Sequence, residues 1–146
     1  MKRLLMLNGP NINLLGNREK NIYGDFSLND IEKEVAAYLT SVGYSLDAFQ
    51  SNHEGDLIDW IQKANGTYKG IIFNPAAYTH TSIALHDAIK SIDIPVVEVH
   101  ISNIYKREEF RKQSMTASVC RGQIIGFGKK SYLLGAVALV EDIEHE

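Results

Sequence analysis

Cysteine is almost missing from this chain: of 146 residues, only Cys120 carries a thiol. A single thiol forms no internal disulfide, which excludes a stapled secreted scaffold and suits a reducing, cytoplasmic setting. Proline occurs three times, and no stretch reads as a linker, a repeat or low complexity. There is no excess of positive charge. The net charge of −3 provides no basic field for nucleic acid or a membrane surface, so neither is expected as a partner. No apolar run is long enough to span a bilayer. The start, Met1-Lys2-Arg3 followed by Leu4 to Leu7, is basic then apolar, but Asn8-Gly9-Pro10 cuts it too short for a secretion signal. Metal-ligand spacing is also missing: His80 and His86 fall on different faces of a helix. No phosphate-binding glycine motif follows the first strand. A spaced metal site and these phosphate-binding loops are therefore set aside. What is present is an ordinary globular balance, 45% hydrophobic and 23% charged, enough for one domain over residues 1–146 with its own core.

The patterning alternates strand and helix. Leu4 to Leu7 is a short apolar run closed by Asn-Gly-Pro, the mark of a buried strand. Ser27, with Asp30 three residues on, reads as a helix N-cap. Leu28, Ile31, Val35, Tyr38, Leu39 and Val42 follow at helical spacing, and Gly43 ends the run. Tyr44 to Gln50 is a more exposed strand. Leu57, Ile58, Ile61 and Ala64 form a helix face, Gly70 to Phe73 a strand, and Leu85, Ala88, Ile89 and Ile92 another helix face. Pro95 to Ile101 and Gln123 to Phe127 are strands. A short helix is expected around Arg107 to Arg111, and a last one with Leu133, Val137, Val140 and Ile143 inward. Five strands alternating with helices predict an α/β fold: a flavodoxin-like three-layer sandwich with a parallel sheet of order 2-1-3-4-5. Such sheets bind ligands beyond the carboxyl ends of their strands.

Those ends hold the candidate chemistry. The connection from Asn8 to Phe26 is far longer than the roughly 2–6 residues usual between strand and helix, as binding loops and lids are. It carries Arg18 and Tyr23. A cation beside a tyrosine favours tyrosinate, a base; the alternative is a packed aromatic and a solvated arginine. The fourth strand ends in Glu98-Val99-His100, and alternation puts Glu98 and His100 on one side. They form either a general acid with its orienting carboxylate or a structural ion pair. Ile101-Ser102-Asn103 follows, with backbone N–H groups and a hydroxyl suited to a carboxylate. After the third strand come Asn74, Thr79 as a helix cap, and His80 in the first helical turn. There the helix dipole disfavours imidazolium, leaving His80 as a neutral ligand partner or a surface histidine. Cys120 has no activating neighbour in sequence and reads as a packed thiol.

Taken together these segments resemble type II 3-dehydroquinate dehydratase, from Leu4 to about Leu139. The matching stretches are Asn8 to Gly16, Arg18-Glu19, Tyr23-Gly24, Gln50 to Asp59, Asn74-Pro75, Ala77 to Ser82, Glu98 to Asn103, Arg107 to Arg111 and Gly122 to Gly128. The resemblance implies a hydro-lyase of the shikimate pathway that turns 3-dehydroquinate into 3-dehydroshikimate. The elimination it implies is anti, through an enolate, with no metal, no organic cofactor and no Schiff base. It implies Tyr23 as the base at C2, Arg18 as the cation that lowers its pKa, and Asn11 as the side chain placing a water at the enolate oxygen. His100 becomes the general acid at the C1 hydroxyl and Glu98 its orienting partner. Asn74 binds near that hydroxyl, Ile101 and Ser102 hold the carboxylate, and His80 and Arg111 hold the ring hydroxyls. Asp87 is lent to a neighbouring subunit, and the assembly implied is a homododecamer, a tetramer of trimers.

The sequence departs from the family at Ala76, where many members have glycine; the extra methyl is expected to tighten the turn beside Asn74. Lys20 and Ser118 replace common prolines, and His86 a common arginine next to Asp87. No matched catalytic residue is lost. The competing readings are a lyase or isomerase acting on a related cyclic polyol acid, and a non-catalytic binding or assembly protein of the same fold. The second would be marked by loss of Tyr23, Arg18 or His100, and all three are present.

Overall fold

The computed structural model describes residues 1–16 and 25–145. Five parallel strands form one sheet: β1 (Lys2–Asn8), β2 (Tyr44–Gln50), β3 (Gly70–Asn74), β4 (Val96–His100) and β5 (Gly122–Ile125), in the order β2-β1-β3-β4-β5. The helices are α1 (Leu28–Ser41), α2 (Glu54–Ala64), α3 (Ile83–Lys90) and α4 (Lys130–Glu144). This is the expected flavodoxin-like sandwich. No helix among the described residues is long and apolar enough to cross a membrane.

Strand alternation divides the core in two. Leu4, Met6, Ile72, Val97 and Val99 face α1 and α4, meeting Ile31, Val35 and Leu39 on one and Tyr132, Ala136 and Leu139 on the other. Leu5, Leu7, Ile71, Phe73 and Val96 face α2 and α3, meeting Leu57, Ile61, Leu85 and Ile89. With apolar residues on both faces, β1 and β3 are buried throughout from Leu4 and Gly70 onward, as a doubly covered parallel sheet requires. Removing that apolar area from water is the main force holding the layers together.

The start of α1 follows the local code. Ser27 Oγ accepts from the Asp30 N–H at 3.1 Å, and Asp30 returns the bond to the Ser27 N–H at 3.0 Å. Two otherwise orphaned donors are satisfied, a capping box. Gly43, at φ 86°, turns the chain out of the helix.

Two expectations need correction, and a third needs refining. The face of α4 is rotated: Tyr132, Gly135, Ala136, Leu139 and Val140 are buried, whereas Leu133 and Val137 are only half-buried. Gly135 sets this rotation, because a Cβ there would stand 2.7 Å from Val99 Cγ1. The helix approaches the sheet at its small residues. The short helix expected around Arg107 to Arg111 is present as a 3-10 turn over Glu109–Arg111, preceded by another over Ile104–Lys106, and not as α-helix. Its residues pack on a loop rather than on the sheet, so too little apolar surface is buried to propagate a helix. Finally, Thr79 is not a helix cap. Residues Ala76–His80 form a 3-10 turn, and Ser82 caps α3 by accepting from the Leu85 N–H at 2.9 Å.

Ala76 opens that turn at φ 53°, the left-handed region where a Cβ costs about 1–2 kcal/mol. Its N–H donates to Asn74 Oδ1 at 2.9 Å, which holds it there. The methyl expected to tighten this turn therefore strains the backbone. Ala76→Gly should raise unfolding stability by about 0.5–1 kcal/mol, the relief less the added chain entropy of glycine. Denaturant titration measures it, and an unchanged or lower midpoint would contradict the strain.

Candidate active site

The carboxyl ends of β1, β3 and β4 open on a pocket of about 280 Å³. Asn8 and Asn74 are register partners at the ends of β1 and β3, the point where the strand order reverses. The two loops leaving them cross closely. Gly9 N–H donates to Asn74 O at 2.8 Å, and a Cβ on Gly9 would meet Pro75 O at 2.5 Å. Glycine is required here by contact, not by backbone angle. Beneath the crossing, the buried Tyr132 hydroxyl donates to Asn8 Oδ1 at 2.5 Å and accepts from Asn74 Nδ2 at 2.8 Å. Asn74 is thus fixed at both ends of its amide, with one N–H of Nδ2 left for a ligand. Tyr132→Phe leaves both asparagines short of a buried partner. It should cost about 1–3 kcal/mol of stability, read by thermal or denaturant unfolding; a cost near zero would mean the asparagines pair elsewhere.

Among the described residues, seven of the expected site residues line this pocket: Asn11, Asn74, His80, His100, Ile101, Ser102 and Arg111. Asn11 sits at φ 70°, which asparagine tolerates, and its N–H donates to Asn52 Oδ1 at 3.0 Å. Asn52 in turn accepts from Gln50 Nε2 at 3.1 Å, so the end of β2 braces the first loop. Glu98 lies behind His100, fully buried. Val97 and Val99 go into the α1–α4 core, so Glu98 and His100 share the other side of β4, as alternation predicts. Asp87 is exposed on α3 and does not line the pocket of its own chain. Arg18 and Tyr23 lie outside the described residues, as does Lys20.

Glu98 Oε2 stands 2.6 Å from His100 Nε2. It also accepts from Thr79 Oγ1 at 2.8 Å and from Gln123 Nε2 at 2.9 Å, while Oε1 accepts from Thr116 Oγ1. Burial alone would push this carboxyl up. The hydrogen bond and charge of His100, with the Thr116 and Thr79 hydroxyls, outweigh burial and hold it below the ordinary carboxylate value. With Nε2 committed to Glu98, Nδ1 is the His100 nitrogen left for another partner. Cys120 Sγ lies 3.9 Å from Glu98 Oε1, and burial pushes its thiol far up. It is a packed, unreactive thiol.

His80 Nδ1 donates to Gln113 O at 2.7 Å. A carbonyl can only accept, so Nδ1 carries the proton and neutral His80 keeps Nε2 as an acceptor for a ligand. Its pKa is lowered, first by burial. The expected neutrality holds, but burial rather than an α-helix N-terminus produces it. Sequence reasoning assigned no role to Arg107, which lines the pocket with Arg111. Their spacing of four was the available signal. Two guanidiniums and, among the described residues, no carboxylate on the wall suit an anionic ligand.

The family follows from comparison. The model for the family described as dehydroquinase class II matches residues 2–140. The chain belongs to the class II dehydroquinase family. It is 54% identical over 143 residues to a 3-dehydroquinate dehydratase of Bacillus cytotoxicus, covering 98% of each chain. It is 53% identical over 145 residues to one of Caldicellulosiruptor bescii, covering 99% of this chain and 100% of that one. The crystal structure of a type II dehydroquinase from Butyrivibrio crossotus superposes with a TM-score of 0.93 at 46% identity, over 95% of this chain and 97% of the other.

Proposed function

We propose that this class II dehydroquinase is a hydro-lyase that removes water from 3-dehydroquinate by acid–base catalysis in the pocket above β1, β3 and β4. The observation that carries the reading is the His100–Glu98 pair opening on a pocket walled by Arg107, Arg111 and Ser102. An acid fixed by a buried carboxylate faces a cavity suited to a hydroxylated carboxylate. Family membership names the substrate.

His100 gives its Nδ1 proton to the leaving C1 hydroxyl, and Glu98 stabilises the imidazolium and fixes its ring. Tyr23, made acidic by Arg18, takes the C2 proton. A C–H beside a carbonyl also needs its developing oxyanion stabilised, and a water held by Asn11 is suited to that. Asn74 positions the C1 hydroxyl, Ile101 and Ser102 hold the carboxylate, and His80 and Arg111 hold the ring hydroxyls. Proton loss and hydroxide departure on opposite faces give an anti elimination through an enolate, with no metal or organic cofactor.

One sheet and its two helical layers carry all the described site residues, which supports a single catalytic domain over residues 1–146. Exposed Asp87 on α3 suits donation to a neighbouring subunit in a homododecamer. Cytoplasmic residence fits the lone, half-buried thiol. The test is to add 3-dehydroquinate to chelator-treated protein and follow the ultraviolet absorbance of the conjugated enone-carboxylate. Rapid growth of that band is expected; a flat trace from folded protein would refute the dehydratase reading.

A further inference from the structure

A cluster of hydroxyls lies behind the general acid, outside the pocket wall. Thr79 and Thr116 are fully buried, and Ser114 is half-buried. Thr79 Oγ1 is 2.7 Å from Ser114 Oγ and 3.0 Å from Thr116 Oγ1. Each hydroxyl has one proton to give. The proton of Thr79 goes to Glu98 Oε2 and that of Thr116 to Oε1, so Ser114 donates to Thr79. Gln123 from β5 adds an amide donor to Oε2. The carboxylate is thereby gripped on both oxygens, and only one of its donors is the histidine it serves.

Three separate elements supply this grip: the 3-10 turn after β3, the segment before β5, and β5 itself. The segment is pinned by backbone as well. Met115 N–H donates to Thr79 O, and the carbonyls of Gln113 and Met115 accept from Nδ1 of His80 and His86.

We propose that Thr116 and Thr79 are positioning residues, a hydroxyl clamp that keeps Glu98 ionised and fixed in rotation so that His100 presents its Nδ1 proton to the substrate. The inference rests on the dehydratase reading of the site. Removing the Thr116 hydroxyl frees Oε1. The carboxylate then gains torsional freedom and proton affinity, and His100 loses its fixed orientation. The groups that share this environment are His100 on β4 and Cys120 before β5, with His80, Arg107 and Arg111 across the pocket.

Linkage provides a readout independent of turnover. A carboxyl held below its ordinary value contributes stability above that value and loses it as pH falls through the folded-state pKa. The clamp supplies part of that lowering. Thr116→Val should therefore lower Tm most near neutral pH, and the gap to wild type should narrow in acid. A hydroxyl that only packs would give the same gap at both pH values.

The experiment compares wild type, Thr116→Val and Thr116→Ser by steady-state kinetics on 3-dehydroquinate and by thermal unfolding at neutral and acid pH. We expect Thr116→Val to lose roughly tenfold or more in kcat. Its KM should stay within about twofold, since Thr116 does not line the pocket, and Thr116→Ser should recover most of the rate. A normal kcat for Thr116→Val overturns the proposal. So does a raised KM at unchanged kcat, which would mean that the residue only anchors the loop bearing on His80. If wild type fails to turn over 3-dehydroquinate, the dehydratase reading falls by itself. The Tm gap then decides the clamp: narrowing in acid supports it, and a constant gap overturns it.

Discussion

His100→Ala is expected to lower kcat by about 10²–10⁴-fold, the usual worth of a positioned general acid, with a much smaller change in KM. The alanine variant leaves hydroxide, a poor leaving group, to depart unassisted. It also takes from the buried Glu98 the His100 ring that stands 2.6 Å away. Thr79, Thr116 and Gln123 still hold the carboxylate, so the fold should survive and the loss should be chemical. Steady-state kinetics on folded variant checks it. A near-normal kcat would remove His100 from the acid role and return the Glu98 pair to a structural one.

Tyr23→Phe is expected to be as damaging, because phenylalanine has no group that can take the C2 proton. The described residues Leu14 and Leu15, which precede its segment in sequence, line the pocket. Arg18→Ala provides the companion result. Without the cation, tyrosinate forms at higher pH, so the acid limb of the rate profile should move upward as the rate falls. An unchanged limb at full rate would contradict the role of Arg18, and a working Tyr23→Phe would contradict that of Tyr23.

Local chemistry was readable in the sequence, and long-range chemistry was not. The Ser27–Asp30 capping box joins residues three apart, and Glu98 and His100 are two apart on one strand, so periodicity alone pairs them. The strand-end rule led to Asn74 and Ser102 because parallel α/β sheets place their loops at one edge. Thr79 was misread because its partners are Glu98 and Thr116, nineteen and thirty-seven residues away, while a threonine before a helix resembles a cap. The buried Tyr132 hydroxyl pairs with Asn8 and Asn74 across the whole chain, and no local pattern announces it. The face of α4 was misplaced because the two large residues Leu133 and Val137 outweighed Gly135 in a pattern of hydrophobicity. Close packing against Val99 selected the small residue instead. The strain at Ala76 was half legible: the departure from glycine was visible, but its φ of 53° was not.

The claim most open to direct refutation is that water leaves by proton transfer alone, with no covalent link to the protein. No lysine lines the pocket among the described residues, but Lys20 lies beyond them, so an imine route deserves a chemical test. The measurement is to treat the protein with borohydride in the presence of 3-dehydroquinate, then assay turnover and weigh the intact chain. Undiminished activity and an unchanged mass are the predicted result. Loss of activity together with a chain heavier by the reduced substrate would contradict the account and replace the tyrosinate–histidine pair with a Schiff-base lysine.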